Sequence, residues 1–209
     1  MDLLQKFTLY DLLGYTVPGC ILIWVCGESG IKWFSWVKDT GEAGTWTIFM
    51  LLCIGYILGI VMAEFMEWIL RKTGGLKISL EAFEKYNVND NRIRQALRNA
   101  GMIDEKEQGS GFALFIKYKG EMYSRIQAQD KYQRIHNYAS SELLCKNMIF
   151  VSFIIVLLFV FKVDLYGIIL GIIFFFCFLT RRKRFQEKKM GYCLGWFLNE
   201  YNQQDNGLG

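Results

Sequence analysis

The chain has 209 residues, of which 53% are hydrophobic and 16% aromatic, and its formal net charge is +4. This apolar fraction is high for a soluble domain, and a soluble protein of this length cannot bury the long apolar run over 148–179 in its core beside everything else. Because 21% of the residues are nevertheless charged, the charges must be segregated along the chain. The composition therefore favours an all-α membrane protein with polar segments between its spans.

The chain begins with an amphipathic segment over 1–13, in which apolar residues recur at helical spacing among polar ones. Residues 14–70 are predicted to form transmembrane helices one and two, joined by an outer loop over 28–45. The first span is short for a full crossing, and the only proline, Pro18, lies at its entry, where a missing N–H costs least. The second span extends over about 46–68.

Small residues at four-residue spacing are candidate helix-packing or oligomerisation positions, because they let another helix approach closely. They are Gly55, Gly59 and Ala63 in the second span and Gly167 and Gly171 in the last. The pattern alone does not separate packing within one subunit from packing between subunits.

Charged residues near the ends of the spans are candidate pore or interface groups, namely Glu64, Glu67, Lys162 and Asp164. The two glutamates lie three residues apart on a helix and could bind a cation or a proton. Interfacial carboxylates paired with Arg71 or Lys72 are the more ordinary interpretation, because ionisable residues at helix ends are common.

The basic residues are concentrated in two segments. Residues 71–146 carry 14 Lys/Arg and 9 Asp/Glu, residues 181–209 carry 6 and 3, and the loop over 28–45 carries 2 and 3. Cationic segments remain in the cytoplasm. We therefore predict a multi-pass protein of the bacterial inner membrane, with both termini and the helical insert over 71–146, between spans two and three, in the cytoplasm.

Within this insert, Asn89 or Asp90 is predicted to cap a helix that ends at Gly101. Arginines crowd this helix and are candidate contacts for an acidic or phosphorylated partner, although a solvated face is the alternative: Arg92, Arg94 and Arg98. Residues 111–145 are predicted to form one long helix that leads into the third span.

Residues 147–180 form a predicted transmembrane hairpin, with two apolar runs separated by Lys162-Val163-Asp164. A re-entrant hairpin that stops partway is the alternative, because each run is short. The basic amphipathic tail over 181–209 would either return to the membrane surface or pack on 111–145.

The sequence lacks the motifs of catalysis. It has neither a nucleotide-binding glycine loop nor a GxSxG motif, and its one histidine, His136, cannot form a zinc site or a relay alone. The six cysteines lack metal-site spacing. We therefore expect no catalytic, cofactor-binding or metal-binding residues and no enzymatic activity, and a nucleic-acid or nucleotide signal would act only indirectly.

The N-terminal stretch FTLYDLLGYTVPG, followed by two spans, an insert, a hairpin and a basic tail, resembles a set of uncharacterised four-span bacterial inner-membrane proteins. The matching residues are Tyr10, Asp11, Gly14, Tyr15, Pro18 and Gly19. The plan also looks like that of the membrane components of antiphage defence systems of the Kiwa or Hailong type. This resemblance implies a homo-oligomer, with a tetramer favoured, that works with a separately encoded soluble protein.

Two functions are therefore expected for this chain in contact with membrane lipid. The first is an oligomeric sensor or anchor that recruits or controls a cytoplasmic partner, in antiphage defence if the resemblance holds. The second is an oligomeric ion channel, or membrane-permeabilising effector, opened by a cytoplasmic signal.

Overall fold

The computed structural model describes residues 12–29, 44–72, 89–104, 107, 109–127 and 133–202. All regular structure in these ranges is helical, which confirms the predicted class there. The predicted N-terminal segment, apart from its last two residues, and most of the predicted outer loop lie outside the described residues. The chain divides into unit 1, Met1–Leu76 with Asn137–Gln186, and unit 2, Lys77–His136 with Glu187–Gly209.

The described elements follow one another in a simple order. They are a π-helical turn (Leu12–Thr16), α1 (Val17–Glu28), α2 (Thr45–Lys72), α3 (Asp90–Asn99), α4 (Gly111–Gln127), α5 (Gln133–Phe161) and α6 (Leu165–Asn202).

In the part of the chain that the structure describes, three helices, α2, α5 and α6, are long and apolar enough to cross a membrane. The apolar helix Leu12–Glu28 is shorter, with at most 17 residues. At 1.5 Å per residue its length is at most about 25 Å, whereas the hydrocarbon core of a bilayer is about 30 Å thick. Among the described residues, three of the four predicted spans therefore have the length of a full crossing, and the first does not.

Helix α2 has one tightly packed face and one exposed apolar face. The packed face buries Gly55, Gly59, Met62 and Ala63, whereas Ile57, Val61, Phe65 and Trp68 are exposed at spacings of three and four residues. An exposed apolar stripe of this length suits contact with lipid or with another apolar helix, because neither carries a penalty for apolar side chains.

The turn between α5 and α6 is only three residues long. Val163 adopts φ 56°, a left-handed conformation that is unusual for a β-branched residue. The N–H of Asp164 then bonds to the carbonyl of Phe159 at 3.0 Å and closes the end of α5. The Asp164 carboxylate accepts from the N–H groups of Tyr166 and Gly167, at 3.1 and 3.3 Å, and so begins α6.

In unit 2, α3 begins after Asn89 and ends before Gly101, as predicted. The side chain of Asn89 accepts from the N–H of Asn91 at 3.1 Å. At the other end, Gly101 has φ 65°, and the N–H of Met102 bonds to the carbonyl of Leu97 at 2.9 Å. This hydrogen-bond pattern is the Schellman ending, which favours glycine because the turn needs a left-handed residue.

Unit 2 has a hydrophobic core of its own, to which α3, α4, the start of α5 and the end of α6 contribute. Leu97 of α3, Phe115 of α4 and Phe197 of α6 are fully buried within it. The C-terminal part of α6 thus packs on the insert, which was one of the two alternatives for the tail. The predicted single helix over 111–145 is represented by α4 and the start of α5, and residues 128–132 between them lie outside the described residues.

Candidate functional site

The most unusual feature of unit 1 is a buried polar junction at Asn147. This side chain is 0% exposed, and its amide nitrogen donates to the carbonyls of Gly14, at 2.7 Å, and Gly59, at 3.2 Å. One residue of α5 therefore joins the π-helical turn to α2. The amide oxygen of Asn147 is buried and has no hydrogen-bond partner among the described residues.

The sequence explains why the carbonyl of Gly14 is free to accept. In an α-helix it would bond to the N–H of the residue four positions later, which is Pro18 and has none. The proline ring also crowds this carbonyl, and the chain relieves the crowding by widening into a π-helical turn. Asn147 supplies the donor that Pro18 cannot.

Glycines allow these backbones to approach so closely. A Cβ at Gly59 would collide with the backbone carbonyl of Tyr15, and one at Gly19 with the carbonyl of Gly55. A Cβ at Gly14 would lie 2.5 Å from the Leu143 side chain. Larger residues would therefore separate the helices and pull both carbonyls away from Asn147.

The small residues predicted for helix packing all make contacts or are buried within the chain. Gly55 and Gly59 face the turn and α1, as described, and Ala63 is buried on the same side of α2. A Cβ at Gly167 would collide with the Phe159 ring, and one at Gly171 would lie 2.7 Å from Val156. The last two positions therefore hold α5 and α6 together.

A charged cluster lies where the last turns of α2 meet the middle of α5. Glu67 accepts from Arg71 at 2.7 Å and from Lys146, the neighbour of Asn147, at 3.4 Å. Arg182 of α6 is 5% exposed and is attracted by the carboxylates of Glu142 and Glu67. The cluster balances charges from three helices, which lowers the cost of burying Arg182.

The remaining predicted charges have different surroundings. Glu64 is exposed on α2, and Lys72 lies 4.2 Å from the centre of the Trp68 ring. Lys162 is exposed at the turn between α5 and α6, where Asp164 is engaged as the cap of α6. Of the four predicted pore or interface charges, the structure brings Glu67 into a cluster and leaves Glu64, Lys162 and Asp164 apart from it.

The three arginines of α3 are not equivalent. Arg92 and Arg98 are exposed. Arg94 instead donates to the carbonyl of Gly109 and lies 3.9 Å from Asp90, which ties the loop before α4 to α3. Only the first two are therefore available to a partner without disturbing the fold of unit 2.

One ion pair in unit 2 shifts two pKa values. Glu107 accepts from Lys117 at 2.5 Å and from the Tyr118 hydroxyl at 3.0 Å. The hydrogen bond from Lys117 lowers the pKa of Glu107, and the same bond raises the pKa of Lys117. Both shifts favour the charged pair, which holds residue 107 against α4.

Sequence reasoning did not find Asn147, the residue that organises the junction. Its signal was present, since an asparagine at the start of an apolar run must find buried partners. Because Pro18 lies four residues after Gly14 and has no N–H, the sequence also indicated that the Gly14 carbonyl would lack its usual helical donor. Neither signal identifies the partner, because the contact joins residues 133 positions apart.

Among the described residues, no group of three or more His, Cys, Asp or Glu side chains is arranged to hold a metal ion. Comparison of the chain with protein-family models, with curated proteins and with solved structures finds no match.

Proposed function

We propose that this chain is a non-enzymatic anchor or sensor of the bacterial inner membrane, and that unit 2 holds a soluble cytoplasmic partner. The observation that supports this most strongly is the separate hydrophobic core of unit 2. A loop that only connects two spans needs no core. A cored unit, in contrast, presents a fixed surface on which a partner can dock.

The exposed arginines of α3 are the proposed docking surface. Arg92 and Arg98 present two guanidinium groups that can bind carboxylates or phosphates in pairs of hydrogen bonds. The helix that carries them is fixed by its cap at Asn89 and its glycine ending. An acidic surface on the partner is the matching chemistry.

Helices α5 and α6 give the proposed route of control. Each belongs partly to unit 1 and partly to unit 2, and each is helical throughout. We infer that a partner bound to unit 2 biases the junction at Asn147, where the π-helical turn provides a second backbone arrangement at low cost.

Assembly into a homo-oligomer, with a tetramer favoured by the resemblance, is part of this proposal. Because the glycine positions are occupied by contacts within the chain, the exposed apolar stripe of α2 is the surface that we assign to it. We prefer the anchor to the channel because Glu67 and Asp164 would have to leave their present partners to line a pore.

The test is co-purification of a natively expressed, tagged chain with its partners. Arg92→Glu with Arg98→Glu should release a stoichiometric soluble protein, while unit 2 remains folded because both side chains are exposed. Lys119→Glu with Arg134→Glu is the matched control, since these exposed basic residues lie on other helices. Equal recovery of the partner with both double variants would refute the proposed surface.

If the wild-type chain purifies only with copies of itself, the anchor proposal fails and the channel is favoured. Conductance measured in a planar bilayer then tests whether the chain forms an ion channel. Opposite-sign substitution of Lys162 should shift the reversal potential of a pore that this residue lines.

A further inference from the structure

A partly open cleft of about 230 Å³ lies within unit 1 at the end that holds the turn between α5 and α6. It is bounded by α1, α5 and α6. Most of its wall is apolar and includes Trp24, Leu158 and Phe174. The cleft is too small for a complete drug-sized ligand, but its shape and polarity suit part of a larger apolar molecule.

The polar groups of the cleft come from the last residues of two helices. Glu28 is the last residue of α1 and Ser29 follows it, and Lys162 follows the last residue of α5. Glu28 and Lys162 are both exposed. The cleft therefore has a long apolar wall and a mouth that carries one negative and one positive charge.

The two charges are supplemented by the backbone. Both α1 and α5 end at this mouth, and the carbonyl end of a helix favours a cation. The Ser29 hydroxyl donates to the carbonyl of Val25 at 2.7 Å, so its oxygen remains an acceptor. Glu28, Ser29 and the helix ends thus favour an ammonium group, whereas Lys162 favours an anion.

The exposed Trp24, of which 59% is accessible, lies beside this mouth. Tryptophan favours the interface between hydrocarbon and water. An amphiphile bound here would place its tail along the apolar wall and its polar group at the level of the lipid headgroups.

We propose that this cleft binds a phospholipid with a primary-amine headgroup. Its acyl chain lies along the apolar wall, its ammonium group donates to Glu28 and Ser29, and its phosphate pairs with Lys162. An anionic phospholipid satisfies Lys162 but brings a negative charge to Glu28. A choline headgroup has the correct charges but no N–H with which to donate. The proposal rests on the membrane location of unit 1 and not on the identity of any protein partner.

The test is native mass spectrometry of the full-length chain, purified in detergent and titrated with defined phospholipids of equal acyl composition. Phosphatidylethanolamine should bind roughly tenfold more tightly than phosphatidylglycerol or phosphatidylcholine, as expected for a charged hydrogen bond. Glu28→Gln should remove this preference, and Lys162→Ala should weaken binding of all three lipids.

Two matched variants control for general effects of charge. Glu64→Gln and Lys183→Ala remove exposed charges that do not line the cleft, and they should leave the preference unchanged. Equal binding of the three lipids to the wild-type chain would refute the headgroup match. Equal effects of the cleft variants and their controls would show only a lipid annulus and would refute the site.

Discussion

The hydrogen bonds of Asn147 allow a sharp test of the junction. Asn147→Ala removes the side-chain donor to the buried Gly14 carbonyl, which cannot bond to an N–H of Pro18 instead. Hydrogen bonds between membrane helices contribute about 0.6 kcal/mol on average and up to about 1.7, and an orphaned buried acceptor costs about 1–3 kcal/mol. Two bonds are lost, so we expect a decrease of about 1–3 kcal/mol in the free energy of unfolding.

The decisive experiment is a double-mutant cycle with Pro18→Ala. Alanine restores an N–H four residues after Gly14, which can take over the bond that Asn147 now provides. The effect of Asn147→Ala should therefore be smaller in the Pro18→Ala background, with a coupling of about 1 kcal/mol. Reversible unfolding in mixed micelles, followed by circular dichroism, measures all four corners of the cycle. Strictly additive effects would refute our account of the turn.

Three further predictions concern other parts of the fold. Val163→Gly should raise the free energy of unfolding in the same assay by up to about 1 kcal/mol. The substitution removes the strain of a β-branched residue in a left-handed conformation, and this gain exceeds the entropic cost of ordering a glycine. A loss of stability would contradict this. Phe197→Ala should destabilise unit 2 by about 3–5 kcal/mol, because the ring is fully buried, and proteolysis should show faster cleavage of that unit; unchanged protection would refute the core assignment. Glu107 has a lowered pKa, so its contribution to stability should be present above the unfolded value of about 4.3 and lost as the pH falls through the lower folded value. The protection factors of the α4 amides, which correct for the slower intrinsic exchange at low pH, should decrease over that interval, and a Glu107→Gln variant should show no such decrease.

The local features of this fold could be predicted from the sequence because they depend on neighbouring residues. The cap at Asn89 and the glycine ending at Gly101 require only residues within one turn. Helices α2, α5 and α6 are marked by long apolar runs, whose place in a membrane depends on length and composition.

The ends and pairings of the helices could not be predicted in the same way. The cluster beginning at Arg181 resembles the end of a span, yet α6 continues to Asn202 because its later apolar residues pack in unit 2. That packing joins Leu97 to Phe197 across about a hundred positions. No local pattern specifies such a contact, since periodicity shows which face is apolar but not what covers it.

The contacts of the candidate site could not be predicted either, because they also join distant parts of the chain. The small-residue pattern marked Gly55 and Gly59 as close-contact positions, but it left open whether the contact lay within one chain. The structure fills these positions with the turn and α1 of the same chain. The key donor, Asn147, is marked only as an asparagine at the start of an apolar run, because the partners of a buried amide depend on the acceptors that it meets in the fold.

We propose that unit 1 lies in the membrane and that unit 2 is in the cytoplasm. A pair of reporter fusions tests it most directly, with an enzyme that is active only outside the cytoplasm. Fused at Thr40, between α1 and α2 in the sequence, the reporter should be active; fused at Gln108, within the segment of unit 2, it should be silent although expressed. Activity at Gln108 would place unit 2 outside the cytoplasm and would contradict both the orientation and the proposed partner.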